Sequence, residues 1–197
     1  WVPEPVNEKT LYIRPFEIAA ENFLGDTYHN VSHRSVDLVG IGPSAEAGVK
    51  GRRDNELEFA QHVWVNFPGG HGVHSAISPE NSPFVDTFQN DPEIGAYFRK
   101  CHEDRQERLG DKARLMPFVG TLFPNTSFHG RQPRSICVWH PNGPESTEAW
   151  RFFLVDADAP QSVKDFMRRY YMRYSGPAGM TEQDDMENWN YATAGAR

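Results

Sequence analysis

Between Ser135 and Val155 the chain reads SICVWHPNGPESTEAWRFFLV, and both ends of this stretch are rich in β-branched and aromatic residues. Such residues favour extended strands, here Ser135 to His140 continued by Ala149 to Val155. Two earlier segments have the same character, Glu58 to Phe67 and Leu115 to Phe128. Together the segments predict an antiparallel sheet.

Helical patterns lie before, between and after these strands. Pro15 to about Ser35 has the apolar spacing of a helix with polar groups along one face. Asp91 is predicted to cap an amphipathic helix that runs to about Arg108, Ser162 to about Tyr174 forms another, and Thr181 restarts a helix with carboxylates in its first turn. Gly40 to Arg53 is predicted to be a loop. This order indicates an α+β domain with helices packed on one face of an antiparallel sheet.

The composition sets the class of protein. The 197 residues are 38% hydrophobic and carry a net charge of -7, which fits a single domain spanning residues 1–197. The absence of a basic stripe argues against nucleic acid as a partner, and the absence of a long apolar run or a leader-like start argues against a membrane or secretion. Two isolated cysteines, Cys101 and Cys137, fit a reducing compartment, so we expect an intracellular protein.

A pair of histidines is the first candidate for chemistry. His29 and His33 are four residues apart in the predicted first helix, so both imidazoles would project from one face and could bind one metal ion. Pairs at this spacing also arise by chance, so a third ligand is needed. Asp26, three residues before His29, could be that ligand or an acceptor for the ring N–H of a ligating histidine.

Two motifs resemble a known family. The string Ala19-Ala-Glu-Asn-Phe-Leu-Gly-Asp-Thr-Tyr-His29, followed by His33, resembles the iron-binding segment in the large (α) subunit of Rieske non-haem iron ring-hydroxylating oxygenases, in particular the dioxygenases of naphthalene and polycyclic arenes. Glu182-Gln-Asp-Asp185-Met-Glu-Asn-Trp189 is similar to the segment that supplies the carboxylate ligand in that family. The resemblance covers nearly the whole chain, because strand segments between the two motifs are similar as well, namely Thr121 to Asn125 and Val138 to Pro141.

The resemblance implies a role for each matching residue. His29, His33 and Asp185 would bind one mononuclear Fe(II) as a 2-His-1-carboxylate facial triad. Asp26 would be the bridge that carries electrons from the Rieske cluster of a neighbouring subunit, and Asn22 would be a polar residue close to the iron. A mostly apolar substrate pocket would lie over the metal, formed by Phe23, Val119, Phe128, Ser175 and Thr181.

The chain also departs from the family's pattern. Three residues separate His29 from His33, whereas the family often has four. Ser175 and Thr181 stand where the family has bulky aromatic residues, which implies a roomier pocket and favours a large, polycyclic substrate. The cysteine and histidine pairs that hold the family's [2Fe–2S] cluster are missing. We therefore expect a fragment of a longer α subunit, whose Rieske domain is not part of this chain.

The resemblance implies a fold and an activity. The fold would be a helix-grip domain of the Bet v 1/START type, a curved antiparallel sheet with helices packed on it. The activity would be that of an aromatic ring-hydroxylating dioxygenase, an oxidoreductase that adds both atoms of dioxygen to an arene to give a cis-dihydrodiol. Electrons would come from NAD(P)H through a reductase, a ferredoxin and the Rieske cluster. Implied partners are the aromatic substrate, the Rieske domain, further α subunits, a β subunit and the ferredoxin, in the bacterial cytoplasm.

Three alternatives come from other classes. A zinc metalloprotease would have a glutamate directly after the first histidine, and Asn30 occupies that position. A metal-free carrier of hydrophobic ligands shares the implied fold, although Asp26, His29 and His33 on one face would be unusual in a carrier. A Rieske-type monooxygenase or demethylase is the third alternative, and the residues around Asp185 are more similar to those of the dioxygenases.

The other histidines and the tryptophans are predicted to be structural. His71 and His74 flank a predicted Gly-Val turn, where adventitious metal could bind, and His129 lies in a segment without a second signature. Tryptophans at three positions are predicted to lie in the core or on a sheet face, namely Trp64, Trp139 and Trp150.

Overall fold

A computed structural model gives the fold of the chain and describes residues 2–3, 8–12, 16–26, 28–39, 61–80, 84, 88, 91–143 and 146–195. An antiparallel sheet is its central element, with the strand order β1-β8-β7-β6-β5-β4-β3 and with β2 also paired to β8. The strands are β1 (Val2–Pro3), β2 (Glu8–Tyr12), β3 (Gln61–Phe67), β4 (His71–Ile77), β5 (Leu115–Leu122), β6 (Thr126–His129), β7 (Ser135–Pro141) and β8 (Thr147–Val155).

The helices belong to two groups along the chain. Near the start lie α1 (Phe16–Gly25), a 3-10 helix (Tyr28–His33) and α2 (Arg34–Leu38). The remaining helices are α3 (Pro92–Leu109), a second 3-10 helix (Gly110–Arg114), α4 (Gln161–Tyr174) and α5 (Met180–Gly195). The predicted α+β arrangement is confirmed. The predicted loop from Gly40 to Arg53 lies outside the described residues.

The prediction of one long first helix was wrong. Helix α1 ends at Gly25, and the backbone from Tyr28 to His33 is a 3-10 helix. The Trp64 indole N–H donates to the Gly25 carbonyl oxygen at 2.9 Å, the oxygen that a continuing α-helix would use for the backbone N–H of His29. A Cβ at Gly25 would lie 2.2 Å from the Trp64 ring, so glycine is what allows this close approach.

The sheet also corrects the prediction for two histidines. His71 and His74 lie within β4 and do not flank a turn. The turn precedes them, at the glycine pair Gly69 and Gly70, whose φ angles are +91° and +82°. Glycine adopts such angles without the steric cost that a side chain would bring, so the chain reverses there and β4 pairs with β3.

Helix α3 forms as its sequence predicts. The Asp91 side chain accepts a hydrogen bond from the backbone N–H of Ile94 at 3.4 Å, and Pro92 occupies the first turn. Both features are typical of helix starts.

Two clusters of buried side chains hold the helices on the sheet. The first joins α3 and α4 to β8, and Phe153 stacks on Tyr171 within it, with ring centroids 4.7 Å apart. The second lies beneath α1 and α5 and consists of Phe23, Cys137, Trp139, Ala149, Met186 and Trp189. None of the helices in the described part of the chain is long and apolar enough to cross a membrane.

Candidate metal centre and pocket

The imidazole of His33 lies between two consecutive carboxylates of α5. Its Nε2 is 3.2 Å from Oδ1 of Asp185, and its Nδ1 is 3.5 Å from Oδ2 of Asp184. The His33 and Asp185 side chains are only 4% and 8% exposed. Ser35 Oγ donates to the same Asp184 oxygen at 2.8 Å, which holds that carboxylate beside the ring. His33 and Asp185, two predicted ligands from opposite ends of the chain, are therefore in contact and buried.

The sequence of α5 explains why Asp185 is buried. Its buried residues are Thr181, Glu182, Asp185, Met186 and Trp189, and steps of three and four residues place side chains on one face of a helix. That face packs on the second core cluster, to which Met186 and Trp189 belong. Asn188 Nδ2 donates to Ser32 Oγ at 2.9 Å and ties α5 to the 3-10 helix that carries His33.

The other predicted residues of the metal site lie at the start of the chain. The backbone of His29 belongs to the same 3-10 helix as His33, and the His29 side chain lies outside the described part. Asp26 is exposed directly after α1, and Asn22 is half-buried on α1. Among the described residues, no group of three or more His, Cys, Asp or Glu side chains is arranged to hold a metal ion.

A common helical face for Asp26, His29 and His33 was predicted, and the backbone does not provide it. Asp26 follows the end of α1, and a 3-10 helix has three residues per turn. Residues four apart on such a helix do not share a face, unlike those of an α-helix. Any common site therefore depends on how this segment packs against α5.

Phe23, Trp139 and Trp189 form an aromatic wall in the second core cluster, which also contains Met186, the residue after Asp185. Phe23 is buried on α1 and meets two rings edge-on, Trp139 at 5.8 Å and His129 at 4.9 Å between centroids. Val119 packs against the same cluster from β5. A Cβ at Gly120 would lie 2.4 Å from Cζ of Phe128, so this glycine leaves the space that the Phe128 ring occupies.

A buried ionic network that the sequence motifs did not predict joins this wall to α5. Arg151 Nη2 donates to the Glu182 carboxylate at 2.9 Å, Nη1 lies 2.9 Å from the other carboxylate oxygen, and the two side chains are 5% and 3% exposed. Nε2 of His129 lies 3.5 Å from the same carboxylate. Burial would raise the pKa of Glu182, but the positive charge of Arg151 and the contact with His129 outweigh it and hold the pKa below its ordinary value.

A signal for this network is present in the sequence of β8. Alternate residues of that strand face inward, and the inward positions hold Thr147, Ala149, Arg151, Phe153 and Val155. A charged side chain among inward apolar ones requires an opposite charge. Glu182 supplies it, three residues before Asp185 on the buried face of α5.

Two hydroxyl groups lie on either side of this network. Ser175 follows α4 and Thr181 lies in the first turn of α5, and both are buried. Within the described part of the chain, Ser175 Oγ and Thr181 Oγ1 have no hydrogen-bond partner. The backbone carbonyl of Ser175 accepts from Arg151 Nη1 at 3.0 Å.

A second pair of histidines lies on β3 and β4. His62 Nδ1 is 2.7 Å from His74 Nε2, and the Trp64 ring stacks on His74 at 4.8 Å. Burial, and secondarily the neighbouring His62, lowers the pKa of His74 to about 4. His74 is therefore neutral near pH 7.

Comparison with known proteins identifies a matching family and similar proteins. Residues 17–197 match the family model described as ring hydroxylating alpha subunit (catalytic domain). The chain is 34% identical to the biphenyl dioxygenase subunit alpha of Paraburkholderia xenovorans over 92% of its own length and 39% of that protein. It is 33% identical to the benzene 1,2-dioxygenase subunit alpha of Pseudomonas putida over 88% of its length and 38% of that protein.

A solved structure has the same fold. The crystal structure of a naphthalene 1,2-dioxygenase variant bound to phenanthrene superimposes with a TM-score of 0.79 at 23% identity, over the whole of this chain and 44% of that one. The chain thus spans about two fifths of the length of the relatives it matches.

Proposed function

Because the chain belongs to the family of ring-hydroxylating alpha subunits, as their catalytic domain, we propose that it is the catalytic domain of an aromatic ring-hydroxylating dioxygenase. In this proposal His29, His33 and Asp185 hold one Fe(II), and the Rieske [2Fe–2S] cluster belongs to another part of a longer subunit. The observation that carries the proposal is the buried contact of 3.2 Å between His33 Nε2 and Asp185 Oδ1.

The donor atoms suit the metal. A neutral imidazole nitrogen and a carboxylate oxygen are ligands that non-haem Fe(II) accepts together. Adjacent ligands of one ion, each about 2.1 Å from it, lie roughly 3 Å apart. The separation of the His33 and Asp185 atoms, 3.2 Å, is compatible with that value.

The residues around the pair would prepare it for metal. Asp184 lies beside His33 Nδ1, and a carboxylate at that nitrogen favours the tautomer that leaves Nε2 free to bind. Ser35 keeps the Asp184 carboxylate in place. When bound, the iron would supply the site where dioxygen is activated next to the arene.

The aromatic wall would orient the arene and keep water out of the site. Phe23 and Trp139 meet edge-on in the buried cluster beside α5, and apolar rings of this kind hold a flat arene and exclude water. Orientation of the ring at the metal then decides which carbons react. Asp26 is exposed directly after α1, a position from which its carboxylate could meet the Rieske domain of a neighbouring α subunit.

The wider assembly follows from the family and is likewise proposed. Electrons would pass from NAD(P)H through a reductase and a ferredoxin to the Rieske cluster, with a β subunit completing the oligomer. The relatives come from bacteria, and we place this protein in the bacterial cytoplasm.

Iron binding is the first test. The chain is reconstituted anaerobically with Fe(II), and its metal content is measured for wild type, His29→Ala, His33→Ala and Asp185→Ala, with His140→Ala as a control at an exposed strand position. We expect about one iron per chain in wild type and the control, and loss in the three ligand variants. A folded wild type without iron, or full retention in Asp185→Ala, would overturn the proposed site and favour a hydrophobic-ligand carrier.

Oxygen labelling is the second test and distinguishes the classes of oxygenase. The full-length subunit with its reductase and ferredoxin is given NAD(P)H, naphthalene and ¹⁸O-labelled dioxygen. A dioxygenase places two labelled oxygen atoms in one cis-dihydrodiol product, whereas a monooxygenase or demethylase places one. Incorporation of a single label would refute the dioxygenase assignment while leaving the iron site intact.

A further inference from the structure

Two buried hydroxyl groups, at positions predicted to line the substrate pocket, have no hydrogen-bond partner in the described part of the chain. Ser175 is 3% exposed and Thr181 is 5% exposed, and neither hydroxyl oxygen has a hydrogen-bond partner there. Buried polar groups in native proteins are hydrogen-bonded with few exceptions, and an exception requires a water, an ion or a ligand. These two hydroxyls therefore indicate a missing partner.

The network around Arg151 fixes where the two hydroxyls lie. Arg151 donates to the Ser175 carbonyl at 3.0 Å and to the Glu182 carboxylate at 2.9 Å. Both ends of the short connection between α4 and α5 are thus attached to the inward side of β8. Thr181 directly precedes Glu182, so the two hydroxyl-bearing residues flank one buried ion pair.

Thr181 and His129 connect this network to the proposed reaction site. Thr181 lies four residues before Asp185 on the buried face of α5, about one helical turn away. His129 connects the network to the aromatic wall, with Nε2 at 3.5 Å from Glu182 and its ring 4.9 Å from that of Phe23. We use "polar end" for Ser175, Thr181 and His129, because each contacts or directly precedes a residue of the Arg151–Glu182 pair.

We infer that the polar end binds a neutral oxygen substituent, a hydroxyl or a carbonyl, on the aromatic substrate. The inference rests on the proposed function and names the substrate class of the same site. Hydroxyl groups donate and accept, and an imidazole does either according to its tautomer, so the polar end complements such an oxygen. The Arg151 guanidinium already pairs with Glu182, so it is not available to an anionic substituent.

Hydrogen bonding decides whether the phenol or the parent hydrocarbon binds more tightly. A phenol that enters an apolar pocket loses hydrogen bonds to water, so in a purely apolar site it binds more weakly than the parent hydrocarbon. A site that contains buried hydrogen-bonding groups reverses that order, because the hydrocarbon would leave those groups unpaired. The ratio of the two affinities therefore reports on the polar end.

The experiment measures binding of naphthalene, 1-naphthol and 1-naphthoate to the anaerobic Fe(II)-loaded chain by equilibrium dialysis. We expect 1-naphthol to bind roughly tenfold more tightly than naphthalene, and 1-naphthoate to bind more weakly than 1-naphthol. The double substitution Ser175→Ala with Thr181→Val should reduce the preference for naphthol to less than about twofold. Thr193→Val, which removes a hydroxyl bonded to the Trp189 carbonyl farther along α5, should keep it.

A stability measurement separates ligand binding from a structural role. Replacing a buried, unpaired hydroxyl by an apolar group of similar size is neutral or stabilising, so the double variant should unfold at the same or a higher urea concentration than wild type. Equal affinities in wild type, or a preference that survives the double substitution, would overturn the inference. Lower stability of the double variant would also overturn it, because the hydroxyls would then have partners within the protein.

Iron content in the same samples keeps the two proposals apart. Iron bound without any naphthol preference would remove this inference and leave the metal site standing. A naphthol preference in a chain that binds no iron would leave the inference standing as a binding site and remove the proposed oxygenase.

Discussion

Removal of Arg151 tests how the ionic network supports the site. Its guanidinium makes two contacts of 2.9 Å with Glu182 and one of 3.0 Å with the Ser175 carbonyl. Arg151→Met leaves the Glu182 carboxylate buried with only His129 beside it. Loss of one partner of a buried ion pair costs about 3–5 kcal/mol, and the carbonyl that loses its donor adds about 1 kcal/mol. We expect the free energy of unfolding to fall by roughly 4–6 kcal/mol.

The assay is urea unfolding at pH 7, followed by circular dichroism. The dependence of the free energy of unfolding on urea concentration should stay the same, so that only the midpoint concentration changes. Glu80→Gln is the control, since the pair of Glu80 with Arg114 is largely exposed and is expected to contribute less than about 1 kcal/mol. The double variant Arg151→Met with Glu182→Leu removes both charges and should recover most of the loss. A double variant no more stable than Arg151→Met would refute the reasoning that an uncompensated carboxylate causes the loss.

The same variant has a pH signature. Burial acts to raise the pKa of Glu182, yet Arg151 and His129 hold it below its ordinary value. The unfolded chain therefore takes up the proton first, so the stability from this group is complete above pH about 4.5 and is lost as the pH falls below it. Without Arg151, burial dominates, and acid unfolding should begin at a higher pH. If Arg151→Met began to unfold in acid at the same pH as wild type, Arg151 would not set this pKa.

Three further outcomes are expected. Asp184→Asn should weaken Fe(II) binding about 10- to 100-fold without abolishing it, because the carboxylate beside His33 Nδ1 is lost. Wild-type affinity in a chelator competition titration would contradict this role. Since the pKa of His74 is lowered to about 4, the free energy of unfolding should fall between pH 6.5 and 4 by at most about 3 kcal/mol. His74→Gln should weaken this pH dependence in urea unfolding, and an unchanged pH dependence would exclude His74 as its source. Phe153→Ala, in the cluster between α4 and β8, should cost about 3–5 kcal/mol and leave iron content unchanged; loss of iron would show that the two clusters are coupled.

The sequence predicted the strands whose own residues favour extension, and it missed those that depend on neighbours. Strands β7 and β8 mostly alternate buried residues with half-buried or exposed ones and were predicted directly. Strand β4, from His71 to Ile77, contains glycine, serine and two histidines, and none of these indicates a strand by itself. It is a strand because β3 and β5 hydrogen-bond to both of its edges, which is tertiary information.

In the candidate site too, the sequence predicted some residues and missed those whose roles depend on tertiary contacts. The motifs named His33 and Asp185, and the fold brings their side chains to 3.2 Å. The partners of these groups were harder to predict, because Asp184, Arg151 and His129 acquire their roles only when β6, β8 and α5 meet. Arg151 was the exception that could have been found, since a charge at an inward strand position requires a partner.

The spacing of the two histidines acquires a different meaning in the structure. In an α-helix, an interval of four residues would by itself place His29 and His33 on one face. The segment is instead a 3-10 helix, in which the same interval spans about 8 Å along the axis and one and a third turns. Local periodicity therefore cannot assemble the proposed triad. This segment contacts α5 through Ser32 and Asn188 as well as His33. In the proposed site this contact would position the ligands, so a histidine spacing shorter than the family's usual one does not argue against that site.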